Sequence, residues 1–153
     1  MHDSVTVHIA APPERVWALV SDVTKIGRYS PETFEAEWLD GATAPAIGVR
    51  FRGHVRRNGR GPVYWTNCSI VACEAEREFA FTVQAGGRDV NTWRYQLTPR
   101  EGGTDITESF QLTPTPLMRA YWAVLGPLRG RTNINGMRQT LERIKAEVES
   151  GAG

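Results

Sequence analysis

Between Phe34 and Leu112 apolar residues recur at every second position almost without a break, and patterning of that length commits half of the chain to β-sheet. The last hairpin, NTWRYQLTPREGGTDITESFQL, constrains it most tightly. With Arg100-Glu101-Gly102-Gly103 as the loop, Pro99 pairs with Thr104, Leu97 with Ile106, Tyr95 with Glu108 and Trp93 with Phe110. The alternate pairs are Thr98 with Asp105, Gln96 with Thr107 and Arg94 with Ser109. One face is then wholly polar and the other apolar except for Glu108. A slip of one residue would mix the two, so the register is specified.

The same alternation predicts strands at Ser4–Ile9, Phe34–Leu39, Gly48–Arg57, Val63–Cys73, Glu78–Ala85, Asp89–Thr98 and Thr104–Leu112. Turn residues separate them: Asp40-Gly41, Asn58-Gly59 with Gly61-Pro62, Gly86-Gly87 and Gly102-Gly103. Connections this short imply an antiparallel meander. Ahead of it, APPERVWALVSDV has prolines suited to a first helical turn and a stripe of Val16, Leu19, Val20 and Val23. A second short helical turn spans Asp22 to Tyr29 and ends at Ser30-Pro31. Past Thr115-Pro116 two helical stripes follow, Leu117, Tyr121, Val124, Leu125 and Leu128, then Ile134, Met137, Leu141, Ile144 and Val148. Gly126-Pro127 is expected to kink or interrupt the helix between them. The order predicts an α+β fold, a single domain over residues 1–153, in which the long C-terminal helix covers the apolar face of the sheet.

Composition narrows the function classes. A net charge of +1 gives no global attraction to nucleic acid or to an anionic membrane. No apolar run approaches a membrane span, so stable membrane insertion is not expected, and MHDSVTVHIAAPPERVW lacks the basic-then-apolar order of a secretory signal. Cys68 and Cys73 are five apart, which puts them on opposite faces of a regular strand and argues against a bridge; a reduced, cytoplasmic protein is the expectation. His2, His8 and His54 are scattered, so neither a metal site nor a His-based triad is visible, and the strand-associated glycines lie in hairpin turns, not in a phosphate loop. No cofactor is expected.

One local imbalance stands out, since no acidic residue lies between Asp40 and Glu74. Within it FRGHVRRNGRGPVYW carries four arginines. Val49, Phe51, Gly53 and Val55 alternate with Arg50, Arg52, His54 and Arg56, and Arg57 to Gly61 form the loop tip. The arginines therefore take the solvent face of a hairpin whose apolar side turns inward. Phe51 is on the opposite face from them, unlike the exposed stacking platforms of a nucleic-acid reader, so no nucleic acid is expected as a partner. A protein docking on this basic face is a third functional option.

The inward face is where chemistry could reside. Phe34, Trp38, Phe51, Phe79, Phe81, Trp93, Tyr95 and Phe110 share one strand parity, and Tyr121 and Trp122 lie on the covering helix. So aromatic a face is either plain core or the wall of an apolar ligand pocket. Glu108 sits mid-strand among these rings, beside the Tyr95 hydroxyl. A carboxylate there is unfavourable unless hydrogen-bonded, paired or reached by water. It is either a cavity group that orients a ligand or moves a proton, or a structural partner of Tyr95 or of an arginine reaching across. Glu32, in Ser30-Pro31-Glu32, is a second acid, placed at a cavity mouth or in an ordinary surface turn.

The element order, with the stretches APPERVWALVSDV, YSPETFEAEWLDGATAPAIGVRFRGHVRRNG, CEAEREFAFTV and TWRYQLTPREGGTDITESF, resembles the START-like helix-grip (SRPBCC) superfamily in its polyketide cyclase/dehydrase-like branch. The resemblance runs from Val5 to Val148. It implies a curved seven-stranded antiparallel sheet wrapped around the C-terminal helix, with an apolar cavity between them for a small hydrophobic or aromatic molecule. No shared catalytic motif transfers by position. It implies Pro31 and Glu32 at the cavity mouth and Trp38, Trp93, Tyr95 and Glu108 in the cavity. Together with the inward parity, the expected wall comprises Trp38, Phe51, Val55, Phe79, Phe81, Trp93, Tyr95, Glu108, Phe110, Tyr121, Trp122 and Leu125. The leading expectation is a ligand-binding protein, monomeric or homodimeric, with a small hydrophobic molecule as partner. The alternative is an enzyme in which Glu108 and Tyr95 carry acid–base chemistry.

Overall fold

Each stretch with period-two patterning is a strand in the computed structural model, which describes residues 2–56, 62–113 and 115–151. In chain order the elements are β1 (His2–Ile9), α1 (Pro13–Val20), a 3₁₀ segment (Val23–Arg28), β2 (Thr33–Trp38), β3 (Arg50–Val55), β4 (Tyr64–Glu74), β5 (Glu78–Ala85), β6 (Arg88–Arg100), β7 (Gly103–Leu112) and α2 (Pro116–Glu149). The strands form one antiparallel sheet in the order β1-β7-β6-β5-β4-β3-β2, so β1 crosses over to pair with the last strand. This is the α+β, helix-grip layout expected from the element order.

Every pair expected in the last hairpin occurs. Arg100 also pairs with Gly103, so the turn is only Glu101-Gly102, tighter than the four-residue loop expected. The β5–β6 turn is Gly86-Gly87 with φ of 60° and 77°, two left-handed residues in succession. Glycine tolerates that conformation without strain, and its twist matches the flanking strands. The tip of the β3–β4 hairpin, Arg57 to Gly61, lies outside the described residues.

Two β-bulges overturn expectations drawn from strict alternation. Between Thr33 and Glu35 the β2–β3 register shifts. Phe34 is thereby turned outward, 46% exposed, with its ring 4.5 Å from that of His54 on the solvent face. Between Ile70 and Ala72 the β4–β5 register shifts again. Val71 is left exposed, and Cys73, opposite Phe79, returns to the inward face that Cys68 occupies. The extra residue of a bulge reverses parity beyond it. The cysteines thus share a face, yet both are free. Five residues of strand span ~16 Å, far beyond the reach of a bridge.

The core lies between the inward face of the sheet and the helices. Val16, Leu19 and Val20 of α1, Val23, Ile26 and Tyr29 around the 3₁₀ segment, and Met137, Leu141, Ile144 and Val148 of α2 are all buried with β1 and the central strands. Gly27 lets the 3₁₀ segment lie directly on β2, since a Cβ there would stand 2.1 Å from the Phe34 carbonyl oxygen. The C-terminal end of α2 is tied to the start of the chain. Arg15 donates to the Val148 carbonyl at 2.6 Å, the Ala10 amide to Glu149 at 2.9 Å and Lys145 to the His8 carbonyl at 3.0 Å.

α2 departs from expectation twice. It is assigned as one helix through Gly126-Pro127, not interrupted there. A proline removes one hydrogen bond, and the turns on either side keep theirs. Of the apolar stripe expected in its first half, Leu117 and Val124 are 79% and 77% exposed, and the side chains of Tyr121, Leu125 and Leu128 lie outside the described residues. Further along, Asn133 and not Ile134 turns inward, in line with Met137 and Thr140. Among the described residues no helix is long and apolar enough to cross a membrane.

Candidate functional site

A cavity of about 500 Å³ opens between the inward face of β3–β7, the loop after the 3₁₀ segment and the middle of α2. That volume suits a small organic molecule. Of the residues expected in its wall, Phe51, Val55, Phe81, Trp93, Tyr95, Glu108 and Phe110 line it, as do Pro31 and Glu32 from the preceding loop. Trp38 and Phe79 do not. Phe79 packs edge-on against Trp17 at 6.2 Å, and Trp38 against Phe51 at 6.3 Å, so both rings are spent on core packing beside the cavity. The side chains of Tyr121, Trp122 and Leu125 lie outside the described residues.

The aromatic wall is a connected set. Phe51 meets Phe81 at 5.1 Å in a T-shaped arrangement and Trp93 meets Phe110 at 4.8 Å. Such pairs prefer tilted or edge contacts and hold one another in place. They arise directly from the register, because Trp93 and Phe110 are cross-strand partners.

Glu108 is the buried acid of the cavity wall. It lies opposite Val5 on one side and Tyr95 on the other, and is 4% exposed. Burial pushes its carboxyl up to about 8, and hydrogen bonding with Tyr95 offsets the rise only in part. Among the described residues no cation contributes, so none of their arginines reaches across to make it a structural partner. The carboxyl is therefore neutral at pH 7. Its Oε1 is buried without a hydrogen-bond partner. Burial, together with the charge Glu108 would carry, holds the Tyr95 and Tyr29 hydroxyls far above their usual range, so both stay protonated. Glu108 and Tyr95 thus stand together in an apolar wall, and Tyr29, buried outside the lining, is near enough to feel the charge of Glu108. Such an arrangement can bind a polar group of a ligand or pass it a proton.

Sequence reasoning missed several members. Tyr29 was placed at the end of a helical turn, and nothing in that short segment marks it as the residue that comes to lie beside Glu108. Asn91 shares the inward parity of Trp93 and Tyr95, a signal that was available. Asn133, Gly136, Met137 and Thr140 form the roof. Only Met137 belongs to the apolar stripe by which that helix was recognised.

The basic face has local explanations. Arg52 pairs with Glu37, Arg50 with Asp40 at 3.7 Å, and His54 with Glu35 at 2.7 Å, so acids of the neighbouring strand and turn answer the acid-free stretch. The face is not free of aromatics, as expected from Phe51 alone: Phe34 and Trp65 both lie on it. Their rings are engaged, His54 stacking on Trp65 at 4.1 Å and Arg52 lying 4.2 Å from the Trp65 centroid. Among the described residues no three His, Cys, Asp or Glu side chains gather as a metal site.

Comparison with known proteins adds the following. A family model described as polyketide cyclase / dehydrase and lipid transport matches residues 2–149. A Polyketide_cyc-like protein of Corynebacterium glutamicum, solved by NMR, is 30% identical over 99% of this chain and 93% of its own, with a TM-score of 0.66. Crystal structures of proteins from Deinococcus radiodurans (20% identity, 99% and 98% covered, TM-score 0.68) and Nitrosomonas europaea (16%, 99% and 96%, 0.72) share the fold. Among curated proteins, none matches.

Proposed function

Because the chain belongs to the polyketide cyclase/dehydrase and lipid transport family, we propose that it binds a small hydrophobic or aromatic molecule in the cavity beneath α2. The carrying observation is a cavity of about 500 Å³ walled by Phe51, Phe81, Trp93 and Phe110 and roofed by a helix that places glycine over it. Gly136 sits inside a helix, where glycine costs about 1 kcal/mol relative to alanine. A Cβ at that position would meet nothing within 4 Å. The residue therefore keeps space open rather than relieving a clash. The fold relies on no bridge between its two cysteines, which is compatible with the reducing cytoplasm that we propose as its compartment.

The test uses the same glycine. N-phenyl-1-naphthylamine, an apolar fluorophore, should bind the wild-type protein at one site and quench Trp93. Gly136→Leu should project a side chain into the cavity, weaken that binding and leave the fold as stable as before or more so. Undiminished binding by a folded Gly136→Leu protein would place the probe elsewhere and refute the proposal. Native mass spectrometry of freshly purified protein would identify a resident ligand directly.

A second reading is favoured by one observation, the neutral carboxyl of Glu108 beside two protonated tyrosines. In an enzyme of this family Glu108 would donate a proton to bound substrate and recover it, with Tyr95 steadying the carboxylate formed. Glu108→Gln would then keep binding but lose turnover; a variant with full turnover would exclude that role.

A further inference from the structure

Three buried side-chain oxygens among the described residues have no hydrogen-bond partner: Asp3 Oδ2, Asn91 Oδ1 and Glu108 Oε1. The last two belong to residues that line the cavity. Native folds leave few such atoms unpaired, and an unpaired one in a cavity wall is a place prepared for a ligand atom. Two threonine hydroxyls of the wall, by contrast, are spent within the protein. The Thr140 hydroxyl donates to the Gly136 carbonyl at 2.8 Å, and that of Thr66 to the Gly53 carbonyl at 3.4 Å.

The two oxygens are well separated. Asn91, Trp93 and Tyr95 lie on one side of β6, and Glu108 faces Tyr95 across the β6–β7 pair. Four residues of strand separate Asn91 from Tyr95, or ~13 Å. Between them lie Trp93 and its cross-strand partner Phe110, an apolar floor with a polar group at each end. Among the described residues no arginine, lysine or histidine lines the cavity, so an anionic group would be desolvated there with none of them to compensate it. A hydroxyl both donates and accepts, and so can serve a neutral carboxyl and either orientation of an asparagine amide.

We propose that the ligand is an elongated, uncharged apolar molecule with a hydroxyl toward each end, one bound at Glu108 and the other at Asn91, its body lying on Trp93 and Phe110. This rests on the cavity being a ligand site, and it specifies which chemistry that site selects. A matched series tests it: trans-stilbene, 4-hydroxystilbene and 4,4′-dihydroxystilbene, titrated against tryptophan fluorescence of the full chain. Each hydroxyl should tighten binding about fivefold, the effect of one ordinary hydrogen bond, so that the diol binds about 25-fold more tightly than stilbene. In Asn91→Leu and in Glu108→Leu the diol-to-stilbene ratio should fall to about fivefold, and Glu108→Gln, which keeps a neutral hydrogen-bonding group, should preserve most of it. Equal affinity for the three compounds in the wild-type protein would overturn the inference while leaving the cavity reading intact, and it needs no variant to fold. An undiminished ratio in both leucine variants would overturn it as well. Failure of all three compounds to bind would sink both readings together. A 4-aminomethyl-4′-hydroxystilbene, whose benzylic amine is protonated at pH 7, outbinding the diol would replace the hydroxyl at Glu108 with a cation and overturn the inference.

Discussion

Glu108→Gln should change how stability depends on pH more than it changes stability at any one pH. In the unfolded chain the carboxyl titrates at its ordinary 4.5; in the folded protein burial raises it to about 8. Below pH 4.5 both states are protonated and the group imposes no cost. Between the two values the unfolded state has lost a proton that the folded state keeps, so stability falls as pH rises, by about 1.4 kcal/mol per unit. Above pH 8 both states are ionised and the fall ends. The whole span amounts to roughly 5 kcal/mol, and about 3 kcal/mol of it falls between pH 5 and pH 7.5. Glutamine has the same shape and does not titrate. Urea unfolding followed by tryptophan fluorescence, run on both proteins at pH 5 and pH 7.5 and constant ionic strength, isolates Glu108, because every other titrating group cancels in the difference. The wild-type protein should lose about 3 kcal/mol relative to Glu108→Gln over that range, with the slope against urea unchanged. A difference constant to within about 0.5 kcal/mol would mean that Glu108 is ionised in the folded state at neutral pH, through water in the cavity or exposure of the carboxyl. The acid–base reading and the neutral end of the ligand site would then both be lost.

Other outcomes follow from local geometry. Gly27→Ala should cost about 1–3 kcal/mol, seen as a lower urea midpoint, since its Cβ would press on the Phe34 carbonyl at 2.1 Å. Cys68 is buried, with its thiol pushed up to about 12, so 5,5′-dithiobis(2-nitrobenzoate) at pH 8 should label Cys73 in the native protein and Cys68 only after unfolding. Two fast thiols in the native protein would contradict the burial of Cys68. Arg52→Ala removes an exposed ion pair to Glu37 and the contact over Trp65, which should cost about 1 kcal/mol in the same unfolding assay and leave stilbene affinity unchanged.

How far the sequence reaches is visible strand by strand. The β6–β7 hairpin was legible pair for pair because one face is polar throughout and the other apolar with a single exception, so only one register keeps them apart. Glu108 and Tyr95 were legible for the same reason. β2 and β4 were not. Period-two counting carries no term for an inserted residue, and the bulges at Phe34 and Val71 have no glycine or proline to mark them. The first turns Phe34 out and leaves Ala36 and Trp38 inward, and the second reverses the end of β4 and brings Cys73 in. Trp38 and Phe79 fail differently: their parity was right and both rings face inward. Parity states which face a side chain takes, not whether the space before it is filled, and here Phe51 and Trp17 fill it.

The hollow itself was the least legible feature, and α2 shows why. Reasoning from stripes assumes that a covering helix turns its most apolar side to the sheet. Over its last three turns that holds: Leu141, Ile144 and Val148 are fully buried and close a solid core against β1 and α1. One turn earlier the inward positions are Asn133, Gly136, Met137 and Thr140, while Ile134 points away. Two of these are polar and one has no side chain, so the helix that seals the core at one end leaves volume under it at the other. Glu108 belongs to the unsealed part, on the same sheet face as Ile106, which is packed solid two residues away. Leucine at position 136 would point into this volume and reduce it. The departures from pattern along α2 are therefore where stability is traded for space, and Gly136, a poor helix former set in the roof of the cavity, is one of them.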